Sequence, residues 1–394
     1  MAAIKIKDGI YSVGVLNPNL RVFDIVMKTD YGTSYNAYII KREKTVLVET
    51  CHERFFDAFM ENISEVTDVR DIDYIVLNHT EPDHAGCLER ILAINPEITV
   101  ISTVPASKYL RGICNTDFKS ITVKDGQTID IGQCELKFIT APFLHWPDSM
   151  FTYVESEKTV FTCDFLGCHY CEPLMFDDAV AYKSAYDDAL LCYYNDIFSP
   201  FKKNVLDGLA KLGELNADII CPSHGPVLRS GADEVISKYE NWSKAGVKEG
   251  KNIVIAYVSA YGYTRALAEE LAKGAREAGA QTHIYDIIAC DTAEVLKKID
   301  GADGIMLGSP TINRDALPPV MNLLNGIGAI KNRGKAVLAF GSYGWSGEAV
   351  DTIGKRAETL GLKPFGDSFK VNFKPTPDDL QKAQSIGREF AEAL

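Results

Sequence analysis

A chain of 394 residues is longer than a single hydrophobic core usually serves, so its length predicts two domains. Hydrophobic residues make up 46% and charged residues 24%, which favours a fully folded protein. The net charge of −13 argues against a nucleic-acid partner, because phosphate binding needs clustered Lys and Arg. The sequence has no apolar run long enough to span a bilayer and its N-terminus is too charged for a signal peptide. We therefore expect a cytoplasmic protein with reduced cysteines and no membrane partner.

The first part of the chain mixes strand-like runs with helical stretches. Runs at 34–40 and 45–48 flank a charged turn, which predicts an antiparallel hairpin. Further along, apolar runs alternate with amphipathic stretches. Strands are predicted at 72–77, 98–103, 136–140, 159–163 and 218–221, and helices at 85–94 and 205–215. This pattern predicts a mixed α/β domain over residues 1–248.

A small, polar segment at 245–252 is typical of a linker. After it, short strands alternate with helices, the order that gives a doubly wound parallel sheet. The strands are predicted at 252–258, 282–286, 304–307 and 336–340, and one of the helices at 265–278. We therefore predict a second domain over residues 252–394.

Metal-binding side chains follow several strands of the first predicted domain. Four lie in one loop after the strand at 72–77, and three others follow later strands: His79, Glu81, Asp83 and His84, then His145, Asp164 and His224. Loops at strand ends can converge on one point, so this placement predicts a metal site. Four imidazoles and three carboxylates without a thiolate suit iron or manganese, although zinc stays open.

A second set of loops predicts a cofactor site in the second domain. Ser259, Ala260, Tyr261, Gly262, Tyr263 and Thr264 lie between a strand and a helix, where backbone N–H groups bind phosphate. Two more loops follow parallel strands, with Pro310, Thr311, Ile312 and Asn313 in one and Ser342, Tyr343, Gly344, Trp345, Ser346 and Gly347 in the other. Tyr343 or Trp345 can pack on a flat ring. The dinucleotide and nucleoside-triphosphate motifs are missing from this strand-to-helix junction, which disfavours FAD and NAD.

The metal-ligand spacing resembles that of the metallo-β-lactamase fold, whose hydrolases carry a H-x-H-x-D-H loop. Glu81 stands where those hydrolases have a second His, and in this the chain resembles flavodiiron proteins. The loop from Ser259 to Thr264 resembles the flavodoxin phosphate loop, and the P-T-x-N and S-Y-G-W segments are similar to those of flavodiiron proteins. The resemblance covers nearly the whole chain. It implies an N-terminal metallo-β-lactamase-like αββα sandwich followed by a flavodoxin-like doubly wound parallel sheet.

The resemblance also implies a function. His79, Glu81 and His145 would hold one iron, Asp83, His84 and His224 the other, and Asp164 would bridge them. FMN in the second domain would pass electrons to this non-haem di-iron site, which reduces O2 to water or NO to N2O. The family resemblance implies a head-to-tail homodimer or a dimer of dimers. The sequence lacks the cysteine pairs of a fused rubredoxin, so we expect a separate rubredoxin-like electron donor.

Residues near the metal ligands are harder to assign from the sequence. Flavodiiron proteins place a tyrosine beside the di-iron pocket, and of Tyr193 and Tyr194 we favour Tyr194. His169 follows Asp164 closely, within Cys168-His169-Tyr170-Cys171, and we expect it to pack near the site or to support a ligand.

Two other functions compete with this interpretation. One is a zinc-dependent hydrolase of the metallo-β-lactamase fold fused to a flavodoxin, which Glu81 disfavours. The other is a plain electron carrier with an inactive first domain, which the complete set of metal-binding residues disfavours. The sequence does not decide between O2 and NO as the substrate.

Overall fold

The computed structural model describes residues 3–24, 27–244 and 250–394. The chain divides into two compact units, Met1–Gly246 and Val247–Leu394. Most of the linker predicted at 245–252 lies outside the described residues, so the domain limits 1–248 and 252–394 stay predictions. Within the described ranges, no helix has both the length and the apolar character needed to cross a membrane.

The first unit contains two main sheets with helices on their outer faces. Its strands are β1 (Ile4–Lys7), β2 (Ile10–Ser12), β3 (Val15–Asn17), β4 (Val22–Phe23), β5 (Met27–Lys28), β6 (Thr33–Tyr35), β7 (Tyr38–Lys41), β8 (Thr45–Val48), β9 (Tyr74–Val76), β10 (Thr99–Thr103), β11 (Lys119–Val123), β12 (Thr128–Asp130), β13 (Glu135–Thr140), β14 (Met150–Val154), β15 (Thr159–Cys163) and β16 (Ile219–Pro222). Its helices are α1 (Phe56–Ser64), α2 (Pro82–Ala85), α3 (Leu88–Ile94), α4 (Val104–Ile113), α5 (Lys183–Tyr193), α6 (Lys202–Gly213) and α7 (Ala232–Lys244). Short 3-10 turns lie at Glu53–Phe55, Val69–Asp71, Glu155–Glu157, Asp177–Ala179 and Ser199–Phe201, and a π-helical turn at Tyr194–Phe198.

One sheet has the order β1-β2-β7-β8-β9-β10-β11 and the other the order β12-β13-β14-β15-β16, while β3 pairs with β6 and β4 with β5. Three hydrophobic layers hold them together. One lies between the two sheets, where Ile40 and Val76 meet Phe138 and Phe161. The others bury the outer sheet faces under α1, α3 and α4 on one side and under α5, α6 and α7 on the other. The unit is an αββα sandwich, as predicted.

The predicted strands of this unit are present with shifted ends, except that the run at 34–40 is broken. β6 ends at Tyr35 and pairs with β3, whereas β7 begins at Tyr38 and forms the expected hairpin with β8. Asn36 separates them, because its side chain donates to the carbonyl oxygens of Pro222 and Gly225 at 2.8 Å each. The hydrogen bonds of Asn36 therefore connect the first strands to the loop that carries His224.

The second unit is a parallel sheet between two layers of helices. Its strands are β17 (Asn252–Tyr257), β18 (Gln281–Asp286), β19 (Gly304–Gly308), β20 (Thr311–Ile312), β21 (Asp315–Ala316), β22 (Ala336–Tyr343), β23 (Lys363–Pro364) and β24 (Phe369–Asn372). Its helices are α8 (Tyr263–Glu277), α9 (Thr292–Asp300), α10 (Pro318–Gly326), α11 (Ala329–Asn332), α12 (Glu348–Thr359) and α13 (Pro377–Ala393). The order β18-β17-β19-β22-β23, with β24 also on β22, is parallel throughout, while β20 and β21 form a small antiparallel pair.

Each face of the second sheet buries an apolar layer. On one face Val254 and Ile305 pack under α9, α10 and α12, and on the other Ile255 and Phe340 pack under α8 and α13. Chain order reverses between β17 and β19, so the loops after these strands diverge and leave a crevice. The doubly wound sheet was predicted correctly.

Two glycines set the close approach of α8 and α13. A side chain at Gly274 would overlap the carbonyl oxygen of Gln384, and one at Gly387 would overlap that of Leu271. These helices cover one face of the parallel sheet, so their spacing depends on both glycines.

We expect Gly387→Ala to destabilise the second unit by roughly 1–3 kcal/mol and to lower its melting temperature by about 3–10 °C, because the added methyl pushes the helices apart. Calorimetry of the full chain measures this shift. Gly354→Ala is the matched control, since the nearest neighbour of its Cβ would be Ser368 Oγ at 3.9 Å in the same unit. An unchanged transition in Gly387→Ala would contradict the packing argument.

Candidate metal centre and flavin cavity

The seven predicted metal-binding residues converge at one edge of the αββα sandwich. The loop after β9 supplies four of them, and the loops after β13, β15 and β16 supply His145, Asp164 and His224. Pro82 begins α2, where a backbone N–H would have no acceptor within the helix, so the proline loses no hydrogen bond there. The N–H of His84 donates to the carbonyl oxygen of Glu81 at 2.9 Å. This tight turn lets side chains close in sequence face the same point.

Asp164 lies between two groups of these residues. Its Oδ2 is 3.7 Å from His79 Nε2 and 3.6 Å from His145 Nε2. Its Oδ1 is 3.2 Å from His84 Nε2 and 3.4 Å from His224 Nε2. One carboxylate thus faces two separate sets of imidazoles, which is the arrangement a bridging ligand requires.

Each set also contains a second carboxylate. Glu81 Oε2 is 3.3 Å from His79 Nε2 and 3.2 Å from His145 Nε2. Asp83 lies within 3.4 Å of His84 Nε2 through Oδ1 and within 3.1 Å of His224 Nε2 through Oδ2. Ligand atoms about 2.1 Å from a shared ion are roughly 3.0–3.4 Å apart, so both sets have the spacing of metal ligands.

Neighbouring groups hold the imidazoles in position. Asp148 is fully buried, lies 3.2 Å from His79 Nδ1 and accepts from the N–H and hydroxyl of Thr80 at 2.9 and 2.7 Å. The Nδ1 of His224 is 2.6 Å from the carbonyl oxygen of Ser34. These contacts leave each Nε2 directed at the centre, as in metal sites where a carboxylate or carbonyl orients a histidine ligand.

The pKa values of the ligand side chains in the metal-free protein show that the centre favours positive charge. Burial lowers the pKa of His79, but hydrogen bonds to Asp148 and Glu81 outweigh it and raise that pKa to about 10. Burial likewise opposes charge on His84 and His145, yet the carboxylates raise their pKa values to about 10 and about 9. Burial favours a neutral Asp164, but the charge on His84 holds the pKa of Asp164 well below its usual range.

The residues therefore fit a pair of cations. Both carboxylate oxygens of Asp83 are buried and have no hydrogen-bond donor among the described residues, so they are available to a metal. With Asp164 shared, each set offers two imidazoles and two carboxylates. This is a hard nitrogen and oxygen donor set that suits iron or manganese.

The tyrosine beside the metal-binding residues is Tyr193, not Tyr194 as favoured from the sequence. The hydroxyl of Tyr193 donates to Asp164 Oδ1 at 2.9 Å. Tyr194 lies in the π-helical turn and points away, with its hydroxyl 2.9 Å from Ser243 Oγ and its ring against Tyr239. His169 does lie near the centre: its ring centroid is 5.0 Å from that of His224, and its Nδ1 is 2.9 Å from Thr33 Oγ1.

Two other carboxylates near the centre were not anticipated. Asp148 follows His145 closely in the sequence, and a carboxylate beside a candidate ligand is a signal that could have identified it. Asp24 lies against Glu81, and burial together with the charge of Glu81 raises the pKa of Asp24 to about 6. Nothing in the sequence around Asp24 distinguishes it from a surface acid.

We expect Tyr193→Phe to lower metal affinity by about 10-fold or more, because losing a hydrogen bond to a ligating carboxylate typically has that effect. Competition with a chelator of known affinity measures the change. Tyr194→Phe is the matched control and should leave the affinity unchanged, since its hydroxyl bonds to Ser243. Equal effects of the two substitutions would argue against a role for Tyr193.

A cavity of about 330 Å³ lies at the carboxyl ends of the parallel strands in the second unit. The predicted residues that line it are Tyr261, Tyr263, Pro310, Thr311, Ile312, Asn313, Ser342, Tyr343, Gly344, Trp345 and Ser346. Arg314 and Phe373 also line it and were missed, because Arg314 lies one residue beyond the predicted loop and no strand was predicted before Phe373. Trp345 is 94% exposed and Phe373 58% exposed, so a broad aromatic surface is available to a planar ring.

The remaining predicted residues lie around this cavity without lining it. Ser259 Oγ accepts from the N–H of Arg265 at 3.3 Å, and Thr264 is buried with its hydroxyl 3.0 Å from Ser342 Oγ. Gly262 adopts a positive φ of 81° and precedes α8, which has no side-chain N-cap. The N–H groups of Tyr263 and Thr264, at the start of α8, are therefore available to an anion such as a phosphate, whereas that of Arg265 already donates to Ser259. The cavity and this helix end fit a phosphorylated flavin. Ala260 and Gly347 complete the predicted loops.

We expect Trp345→Ala to weaken FMN binding by about 3- to 10-fold, since stacking of an aromatic side chain contributes roughly 0.5–1.5 kcal/mol. Titration of the flavin-free protein, followed by quenching of flavin fluorescence, measures the dissociation constant. Trp242, in α7 of the first unit, provides the control: Trp242→Phe should not change flavin affinity.

Comparisons with known proteins agree with both units. The family described as ODP family beta lactamase matches residues 33–225, and the flavodoxin family matches residues 255–387. The flavo-diiron protein FprA2 of Clostridium acetobutylicum is 49% identical over 400 residues, which cover 100% of both chains. A nitric oxide reductase of Moorella thermoacetica is 35% identical, with 99% of this chain and 98% of the relative covered. The structure of rubredoxin oxygen:oxidoreductase from Desulfovibrio gigas is 28% identical with a TM-score of 0.73, covering 99% of this chain and 98% of that one.

Fold and family matches together define a protein that joins a metallo-β-lactamase-like domain to a flavodoxin domain on one chain. The similarity to FprA2 extends through both domains. The chain belongs to the flavodiiron protein family. The predicted family and fold class are confirmed.

Proposed function

We propose that this protein is an oxidoreductase that passes electrons from FMN to a non-haem di-iron site, where O2 is reduced to water or NO to N2O, and that it detoxifies one or both gases. The observation that carries the proposal is the position of Asp164, with one oxygen toward each of two His and carboxylate sets. Relatives named as a nitric oxide reductase and as a rubredoxin oxygen:oxidoreductase support both substrates.

In this proposal one iron is held by His79, Glu81 and His145 and the other by Asp83, His84 and His224, with Asp164 between them. Two ferrous ions would bind the diatomic gas and, together with reduced FMN, would supply the electrons for its reduction. The protein fixes the imidazoles through Asp148 and Ser34, and Tyr193 restrains Asp164. The burial of the ligands limits the access of water to the centre.

A cavity of about 360 Å³ borders this centre and suits a small substrate. Glu81 and Asp83 form part of its wall, together with Asp24, Tyr35 and His52. A diatomic gas in this cavity would lie beside one ligand from each set. Asp24 and Tyr35 line this cavity, and we propose that they influence the choice between O2 and NO.

The zinc-hydrolase alternative finds less support. Glu81 occupies the position of a histidine in the hydrolases, and the relatives reported above carry oxidoreductase names. A plain electron carrier would not need seven ligand-type residues brought to one point. Neither alternative accounts for both the metal centre and the flavin cavity.

We further propose a rubredoxin-like electron donor, a cytoplasmic location and a head-to-tail homodimer or a dimer of dimers. The ten free cysteines suit a reducing compartment. Tyr261, Trp345 and Phe373 are exposed around the flavin cavity, and a large exposed aromatic surface is typical of an interaction site. Pairing of two subunits would cover this surface and bring a flavin toward the partner's metals.

The proposal predicts about two iron ions and one FMN per chain in protein purified without oxygen. The metal centre offers two ligand sets, one for each iron, and the second unit offers one flavin cavity. Elemental analysis and the spectrum of the released flavin measure this content. Consumption of O2 and of NO, assayed separately with a chemical reductant, should require both cofactors. Glu81→Ala should lose iron and turnover but retain FMN.

A matched control is Glu97→Ala, which removes an exposed carboxylate of the same unit that pairs with Lys119. It should leave metal content and turnover unchanged. Two zinc ions after growth with ample iron, or turnover that persists in Glu81→Ala, would overturn the proposed reductase.

A further inference from the structure

Two cysteine thiols lie side by side behind the loop after β9 that runs from His79 to His84, here called the metal-binding loop. The Sγ atoms of Cys51 and Cys87 are 3.5 Å apart, and both side chains are fully buried. The N–H of Cys87 donates to the carbonyl oxygen of Cys51 at 3.1 Å, so the two backbones are adjacent as well. All ten cysteines lie in the described ranges and are free, which leaves this pair reduced and in contact.

We propose that Cys51 and Cys87 are a redox-active dithiol that a peroxide converts into an intrachain disulfide, and that this disulfide displaces the metal-binding loop. Disulfide sulfurs are about 2.0 Å apart, so the two sulfurs need to approach by roughly 1.5 Å. The adjacent backbones require no large rearrangement for that movement. This inference does not depend on the activity proposed above.

The two thiols differ in a way that suits such a reaction. Burial raises the pKa of Cys51 well above its usual range, whereas the hydrogen bond from Cys51 lowers the pKa of Cys87, with Arg90 adding to the effect. Cys87 is therefore the nucleophile, since the thiolate is the form that attacks. The Cys87 sulfur attacks one peroxide oxygen and forms a sulfenic acid as hydroxide leaves. The Cys51 sulfur then attacks that sulfenic acid, forming the disulfide and releasing water.

The pair lies close to the cavity beside the metal centre. Both sulfurs lie against the carbonyl oxygen of His52, at 3.7 Å for Cys51 and 3.8 Å for Cys87. His52 also lines the cavity of about 360 Å³ that Glu81 and Asp83 border. One residue, His52, therefore lies between the dithiol and the space next to the metal ligands, and we expect a small oxidant such as hydrogen peroxide to enter from this side.

The link from the dithiol to the metal ligands is direct. The N–H and hydroxyl of Thr50, next to Cys51, donate to the carbonyl oxygen of His84 at 2.8 and 2.6 Å. Between His84 and Cys87, Gly86 packs so closely that an added Cβ would come within 2.8 Å of the Glu53 nitrogen. A shift that joins the two sulfurs is therefore transmitted to His84 and the loop before it.

The test uses the full-length wild-type protein with its resident metal. After brief exposure to hydrogen peroxide, quenching and alkylation of the denatured protein, a non-reducing digest is analysed by mass spectrometry. We expect one cross-linked peptide containing Cys51 and Cys87, lighter than its two components by two hydrogens and absent after treatment with dithiothreitol. Metal release to a chelator should become several-fold faster on oxidation and return to its former rate on reduction.

Variants give the matched controls. Cys51→Ala should abolish both the cross-link and the faster release, while Cys114→Ala, which removes another buried thiol of the same unit, should retain both. The wild-type measurement stands without any substitution. Oxidation of exposed Cys192 with no Cys51–Cys87 cross-link would overturn the proposal. A cross-link that leaves metal release unchanged would overturn its effect on the loop.

Discussion

The carboxylate of Asp164 is buried among four imidazoles, and the arrangement of the first unit depends on keeping it charged there. An isolated buried carboxylate is strongly unfavourable, so it needs cationic or hydrogen-bonding neighbours. His84 and His224 lie by one oxygen, His79 and His145 by the other, and Tyr193 donates a hydrogen bond. The loops that supply these side chains come from both sheets. The αββα sandwich thus holds together at this edge through charge as well as through its apolar layers.

Both units place their sites by the same rule, with loops at strand ends positioned by a rigid sheet. In the first unit the loops carry charged ligands and converge on a buried point. In the second they carry glycines, hydroxyls and aromatic rings around an open crevice, where the order of the parallel strands reverses. The charges suit metal ions, while the uncapped helix end and the exposed rings suit a phosphorylated planar molecule. The contrast between the two sites lies in the residues that the loops carry.

The sequence predicted the residues that follow strands, because strand ends determine where such side chains meet. It did not predict contacts that depend on the direction of a single side chain. Tyr193 and Tyr194 are adjacent. Which of their two side chains faces Asp164 depends on the geometry of α5 and of the π-helical turn that follows it. Phe373 and Asp24 reach their sites through contacts distant in sequence, so no local pattern reveals them. The break between β6 and β7 has the same origin, since Asn36 bonds to residues near His224.

The raised pKa values of His79, His84 and His145 bear on how the protein acquires its metals. At neutral pH these imidazoles carry protons in the metal-free protein, with pKa values of about 10, about 10 and about 9. A ligating imidazole must be neutral, so metal uptake releases protons and competes with them. Acidification therefore favours the empty centre, and loading in the cell depends on the local proton concentration as well as on the supply of metal.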